Sequence, residues 1–280
     1  MRVQPLNLSA QYSHWLGIDY SGAQHAHAAL PGLRIFRGSV SENDVAEIRP
    51  TESGREHWSR AAVAAWLENF LLTCDGPAVV GIDHAFSFPL NYFETCGIGL
   101  SWDEFLEDFC RHWPMDIAAV SLKECMASRS QSPSHKLRLG NSRWRRRAEQ
   151  ASRGAKSVFH FGVPGSVASS TFTGLPWIRA LRIHPVLSER IHFWPFDGWV
   201  PRAGKHVIAE VYPSIWNQQS SRGALTQDQH DARMVALSLR QADENRELQR
   251  WFSPATWQSI HLSAEDLHQA QIEGWILGLH

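Results

Sequence analysis

Apolar runs separated by polar, turn-forming stretches predict an alternation of strands and helices along this chain. "HWLGIDY" (14–20) reads as a buried strand whose end carries a carboxylate, Asp19. "AHAAL" (26–30) and "LRIFRGSV" (33–40) predict two further strands, joined by the turn at Pro31-Gly32 as an antiparallel pair. Residues 40–55 are polar and predict a loop. "EHWSRAAVAAWLENFLLT" (56–73) places Trp58, Ala62, Ala65, Trp66 and Asn69 at helical spacings, giving a helix with a broad apolar face. "AVVGID" (78–83) is the next strand, and it repeats the Gly-Ile-Asp ending of the first. Strand, helix, strand in that order predicts a parallel crossover.

Beyond Asp83 the pattern loosens. "SWDEFLEDFCRHW" (101–113) predicts a short helix with Ser101 as N-cap and Glu104 as its reciprocal partner. "GVPGSVASSTFTGLPWIRAL" (162–181) is a Gly/Ser-rich loop running into a helix, and "RIHFWPF" (190–196) is a short apolar run. "KHVIAEVYPS" (205–214) is a strand. A long helix over about 228–250 follows, and a last helix begins after Ser263. The whole predicts an α/β fold in one domain spanning 1–280, with a helical, basic insertion at about 90–160.

Four acids stand at element ends. Asp19 and Asp83 end strands that run parallel, so both emerge on one edge of the sheet, where open α/β sheets carry their ligands. Glu210 interrupts the apolar strand "VIAEVYP", and an acid there is uncommon unless paired. Asp231 stands at the start of the long helix, with Asp228 on nearly the same face. Each has a plainer role: Asp19 and Asp83 as turn stabilisers, Asp228 and Asp231 as favourable charges at a helix N-terminus. Gathered together they repel one another, and a divalent cation relieves that repulsion. Oxygen donors without clustered His or Cys favour Mg2+ or Mn2+ over zinc.

Composition narrows the partners little. The 280 residues are 43% hydrophobic and 20% charged, with a formal net charge of −1, so any electrostatic function belongs to local patches. Cys74, Cys96, Cys110 and Cys125 form no C-x-x-C pair and read as reduced, packed thiols. The first fifteen residues lack the apolar stretch of a signal peptide, and no run is long enough to span a membrane, so a soluble, cytoplasmic protein is expected. One patch stands out. From Arg129 to Lys156 there are nine Lys/Arg residues against the single acid Glu149. Arg143, Arg145, Arg146 and Arg147 flank Trp144, a pattern suited to phosphate contacts and base stacking. Its plainer reading is a solvated helix face. Ser166, in "PGSVASSTFTG", precedes a helix start whose amides would suit a phosphate.

"LGIDYSG", "VVGIDHAFSFP", "VIAEVYPS" and "QHDARMVAL" together resemble the successive motifs of the DUF429 family, predicted nucleases of the ribonuclease H-like superfamily. "RRRAEQ", "PGSVASSTFTGLPWIRAL" and "HFWPFDGW" resemble stretches of that family too. The likeness covers most of residues 14–240 and lies in the order and spacing of short motifs. It implies a five-stranded mixed sheet of order 3-2-1-4-5 flanked by helices. It also implies an acidic metal site of Asp19, Asp83, Glu210 and Asp231. Tyr20-Ser21 intervene before Gly22 where such families often place Gly or Asp directly after the first acid.

The resemblance, joined to those acids, implies a metal-dependent nuclease acting on DNA or RNA through two Mg2+ ions. Asp19 would bridge the ions, Glu210 and Asp231 would each hold one, and Asp83 would complete a coordination sphere. Asp228 and His230 are accessory candidates, His230 for leaving-group protonation. Two other readings remain. "GIDYSGA" loosely fits the first phosphate loop of actin-like ATPases and sugar kinases, which would make the chain a nucleotide-binding phosphotransferase or ATPase. A non-catalytic nucleic-acid-binding protein would use the basic segment alone.

Overall fold

The computed structural model describes residues 11–51, 54–117, 119–129, 132–217 and 221–280. The stretch weighed as a signal peptide therefore lies, up to residue 10, outside the described residues. Six strands form one mixed sheet: β1 (His14–Asp19), β2 (Arg34–Ser39), β3 (Ala46–Ile48), β4 (Ala78–Ile82), β5 (Ile191–Trp194) and β6 (His206–Glu210). Their order is β3-β2-β1-β4-β6-β5. β2 is antiparallel to β1 and to β3, whereas β1, β4, β6 and β5 run parallel.

The α/β class is as expected, but the five-stranded order 3-2-1-4-5 is corrected in two places. "AHAAL" is not a strand. The Pro31-Gly32 turn leads from this loop into β2, and β2 pairs onward with β3, inside the stretch expected to be a loop. "HFW" supplies an additional edge strand, β5, beyond the strand that carries Glu210. All four of its residues are buried, so it does not read as a half-exposed edge in the sequence.

Eleven α-helices flank the sheet among the described residues. α1 (Arg60–Thr73) crosses from β3 to β4, capped by the Ser59 hydroxyl, which accepts from the Ala62 amide. α2 (Leu90–Cys96), α3 (Trp102–His112), α4 (Leu122–Arg129), α5 (Pro133–Leu137) and α6 (Arg147–Ala151) occupy the stretch expected to be an insertion. α7 (Ala168–Arg182) and the short α8 (Leu187–Arg190) lead into β5. α9 (Gln227–Glu244) is the longest helix, with a Thr226/Gln229 capping box, and α10 (Leu248–Trp251) follows it. α11 (Ala264–Glu273) starts at Ser263 as the sequence predicts. None of these helices is long and apolar enough to cross a membrane.

Strand alternation divides the core into two layers. Leu16 and Ile18 of β1, Val80 and Ile82 of β4 and Ile208 of β6 face α1, α7 and the insertion. Trp15, Val79, Val207 and Ala209 face α9 to α11. The insertion shares the first layer: Phe105 and Phe109 of α3 pack edge-on against Phe88, at 5.1 and 5.6 Å between ring centroids.

Two glycines set how near α9 can come. Gly17 and Gly81 are partners across the β1–β4 pair. A Cβ on Gly17 would stand 2.1 Å from the Ala232 carbonyl oxygen, and one on Gly81 would stand 2.7 Å from a Val235 methyl. The paired glycines thus form a flat patch on which the helix backbone rests.

Candidate functional site

The parallel pairing puts the acid-bearing strand ends in step. Ile18 pairs with Ile82, and Ile82 with Glu210. The Asp83 amide donates to the Ile18 carbonyl at 2.9 Å, carrying the β1–β4 ladder one residue further. Asp19 and Asp83 therefore leave neighbouring strands side by side. α9 begins over the same edge, close to the sheet because of Gly17, and delivers Asp228 and Asp231.

The electrostatics record this convergence. Burial first, then the like charges of Asp83, Asp228 and Asp231, hold the Asp19 carboxyl well above the usual carboxylate range. Asp83 is pushed up to about 8 by burial, then by Asp231 and Glu210. Its Oδ1 is buried and has no hydrogen-bond partner among the described residues. Asp228 is raised by burial and by Asp231, with Arg34 offsetting part of the effect. Asp231 is better provided for: its Oδ1 accepts from Asn217 and Gln227, both at 2.7 Å.

Asp19 and Asp228 line an open cleft of about 400 Å3, walled by Ser21, Gly22, Ser166 and Ser169. Ser166 thus lies in the cleft, its hydroxyl accepting from the Ala168 amide at the start of α7. Thr171 of α7 accepts from the Ala85 amide, which ties that helix to the loop after Asp83. A second hollow of about 380 Å3 continues from Gly22, Ala23 and Ser169 to Met126 and Phe161.

Glu210 departs from expectation. Its carboxylate accepts two hydrogen bonds from Arg146, at 2.6 and 2.7 Å. Arg146 also bonds Glu149 at 2.9 Å and the Glu273 carbonyl at 3.2 Å. Arg146 and Glu149 are each 1% exposed and Glu210 is 4% exposed. The acid in an apolar strand is indeed paired, but with an arginine. In this structure the Glu210 carboxylate, expected as a metal ligand, is engaged by Arg146, and the Arg146 guanidinium, expected on a phosphate, is enclosed with its donors engaged in turn.

Two of its arginine neighbours are also engaged within the protein. Arg145 donates to the Glu149 and Ala155 carbonyls. Arg147 pairs with Asp266 at 2.7 Å, and its Nε donates to Gln269. Trp144 is half-buried against Phe159 rather than free to stack on a base. Arg143 has an exposed side chain. His230, the accessory candidate for leaving-group protonation, is 3% exposed, and its Nε2 lies 3.5 Å from the Asn217 carbonyl oxygen.

No family model, no curated protein and no solved structure matches this chain. None of these comparisons supports the expected likeness to DUF429 proteins.

Among the described residues, no three His, Cys, Asp or Glu side chains are arranged as a ready metal cage. The chemistry of the four aspartates nonetheless suits a hard divalent cation. They offer only oxygen donors, one carboxylate oxygen is buried without a partner, and burial plus like charge dominate at Asp19 and Asp83. Sequence reasoning missed the glycine pair that brings α9 over the site and the Arg146 clasp on Glu210. The repeated Gly before Ile-Asp was the available signal for the first.

Proposed function

We propose that the chain is a divalent-metal-dependent hydrolase of phosphodiester bonds in the ribonuclease H-like manner, acting at Asp19, Asp83, Asp231 and Asp228. The observation that carries this reading is the uncompensated carboxylate cluster at the ends of two adjacent parallel strands. Buried like charges are costly, and proteins keep such groups unpaired chiefly at functional sites.

Asp19 and Asp83 would hold Mg2+ or Mn2+, with Asp231 and Asp228 completing the acidic ring from α9. The ion, when bound, supplies charge stabilisation at a phosphate oxygen and lowers the pKa of a water. The chain's own residues do the positioning. The β1–β4 ladder keeps the two strand-end carboxylates in step, and Gly17 lets α9 bring its acids to them. Arg146 holds Glu210 beside Asp83, so that its charge discourages metal-free ionisation there.

Purified protein incubated with DNA and RNA in Mg2+ or Mn2+ is the test. Cleavage that EDTA stops and Asp19→Asn reduces by more than 100-fold is expected, on the order of removing one essential electrostatic group. Equal activity in wild type and Asp19→Asn would overturn the assignment.

A second reading, a nucleotide-binding phosphotransferase or ATPase, gains from the engagement of Arg145, Arg146 and Arg147 within the protein. That engagement leaves less basic surface for a long polymer, while the serine-lined cleft has room for a mononucleotide. ATP that raises the melting temperature in Mg2+, when oligonucleotides do not, selects this reading.

A further inference from the structure

Arg60, at the start of α1, is fully buried at 0% exposure. No carboxylate among the described residues pairs with it. Its guanidinium instead donates to three carbonyls of one turn: Ser21 at 3.0 Å, Ala23 at 2.6 Å and Gln24 at 3.0 Å. Its Nε has no partner. A buried guanidinium without a counter-ion is expensive, and partial charges on carbonyls offset it only in part.

That turn follows Asp19 directly and separates Arg60 from the cleft. The peptide bonds within it are trans, the sole cis bond among the described residues being Trp194–Pro195. In a trans peptide the C=O and the next N–H point in opposite directions. With the Ser21 and Ala23 carbonyls drawn inward to Arg60, the Gly22 and Gln24 amides face outward; Gly22 lines both hollows and Gln24 the second. Neither amide has an acceptor among the described residues. Gln24 holds a left-handed conformation, φ 50°, which is uncommon for a non-glycine residue and is the kind that gathers N–H groups into an anion nest. The first turn of the 15-residue α7 lies against it: a Cβ on Gly22 would stand 2.3 Å from Ser169 C and 2.5 Å from Ser170 N.

We propose that the Ser21–Gln24 turn is a phosphate cradle, and that Arg60 is the positioning residue that turns its amides toward the cleft. The inference rests on the phosphoryl reading of the site and specifies which part of the substrate that turn receives. A phosphate group lies on the Gly22 and Gln24 amides and the start of α7, with the buried charge of Arg60 behind them. Asp19 and Asp228 wall the cleft that meets this hollow at Gly22 and repel a bare anion, so the cradle fills when a divalent cation occupies the acidic side. The two halves are complementary: donors on the α7 side, carboxylates on the α9 side.

The test is a titration of the 15N-labelled full chain with inorganic phosphate in saturating Mg2+, following backbone amide resonances. The Gly22 and Gln24 signals should shift saturably. Arg60→Lys keeps the charge but loses the fork, and it should require about tenfold more phosphate, the worth of roughly one hydrogen bond to a charged group. Stationary Gly22 and Gln24 signals in wild type, or identical titration of Arg60→Lys, overturn the cradle. If Arg60→Lys does not fold, the wild-type shifts decide. A parallel Mn2+ titration separates the two proposals. Paramagnetic broadening around Asp19 and Asp83 without a phosphate shift removes the cradle and leaves the metal reading standing. Phosphate shifts without that broadening keep the cradle but remove the metal at Asp19 and Asp83, and with it the cation dependence of phosphate binding.

Discussion

Asp83 and Glu210 end neighbouring parallel strands and line the same small cavity, yet their surroundings are opposite. Glu210 is clasped by Arg146, which in turn holds Glu149, so both buried carboxylates of that knot share one guanidinium. Asp83 has like charges for neighbours and a buried oxygen without a partner. One knot is finished as a folded structure; the other is finished only by something that binds. The residue types are the same on both sides, so the presence or absence of arginine is what separates architecture from site. Four substitutions test this contrast, in order of expected effect.

Arg146→Met should be the most damaging. It leaves Glu210 and Glu149 buried without their counter-charge, a situation that costs about 3–5 kcal/mol. Urea unfolding measures it. Adding Glu149→Leu and Glu210→Gln should recover most of the loss, because it is the orphaned charge, and not the missing bridge, that is expensive. A single-variant loss below about 1 kcal/mol would mean that the clasp is no more than a surface pair.

Gly17→Ala attacks the other knot through its scaffold. The added methyl meets the Ala232 carbonyl, a backbone atom that cannot step aside without moving α9. Overpacking of this kind costs about 1–3 kcal/mol. The cost should be accompanied by weaker Mn2+ binding, read by calorimetry, since Asp228 and Asp231 move with the helix. Retained Mn2+ affinity in a destabilised variant would place the metal elsewhere.

Asp83→Asn should act with the opposite sign. The folded Asp83 carboxyl is raised to about 8 from an ordinary 3.8, so the native state holds a proton that the unfolded chain has released. Its contribution to stability is full below about pH 4 and is lost as pH rises toward about 8. Asp83→Asn removes Asp83's share of that slope, leaving the share of Asp19, and should stabilise the metal-free protein near pH 8 by on the order of 1–3 kcal/mol, because no buried unpaired charge then forms there. Denaturation midpoints across pH 4–9 read the effect. Mg2+ should flatten the wild-type profile in the same way, and a wild-type profile already flat without metal contradicts the picture.

How much of this was legible in the sequence follows the same division. The strand ends at Asp19 and Asp83 were legible because burial on both faces gives unbroken apolar runs, and a carboxylate closing one is conspicuous. The helix starts at Ser101 and Ser263 were legible because capping is local chemistry. β3 was not, since a three-residue strand with no fully buried position carries no alternation to see. The Arg146–Glu210 clasp was not either: its partners are 64 residues apart, and in sequence a buried arginine looks the same as one awaiting phosphate. The aspartates were found one by one; their mutual influence belongs to the packing of α9 on paired glycines.

Arg147→Ala should have the smallest effect, and it tests the reassignment of the basic segment. Arg147 meets Asp266 at 2.7 Å, with the two side chains 38% and 25% exposed, so water screens the pair. Exposed ion pairs contribute about 0.2–1 kcal/mol, and truncation should cost no more than that in urea unfolding. Its neighbour Arg146 differs by one position in sequence and by nearly the whole cost of a buried charge. If Arg147→Ala instead weakens nucleic-acid binding and lowers the salt slope by about one unit, as loss of a phosphate contact does, the segment faces a polymer after all. An unchanged slope keeps Arg147 with the fold and leaves the substrate to the cleft between α7 and α9.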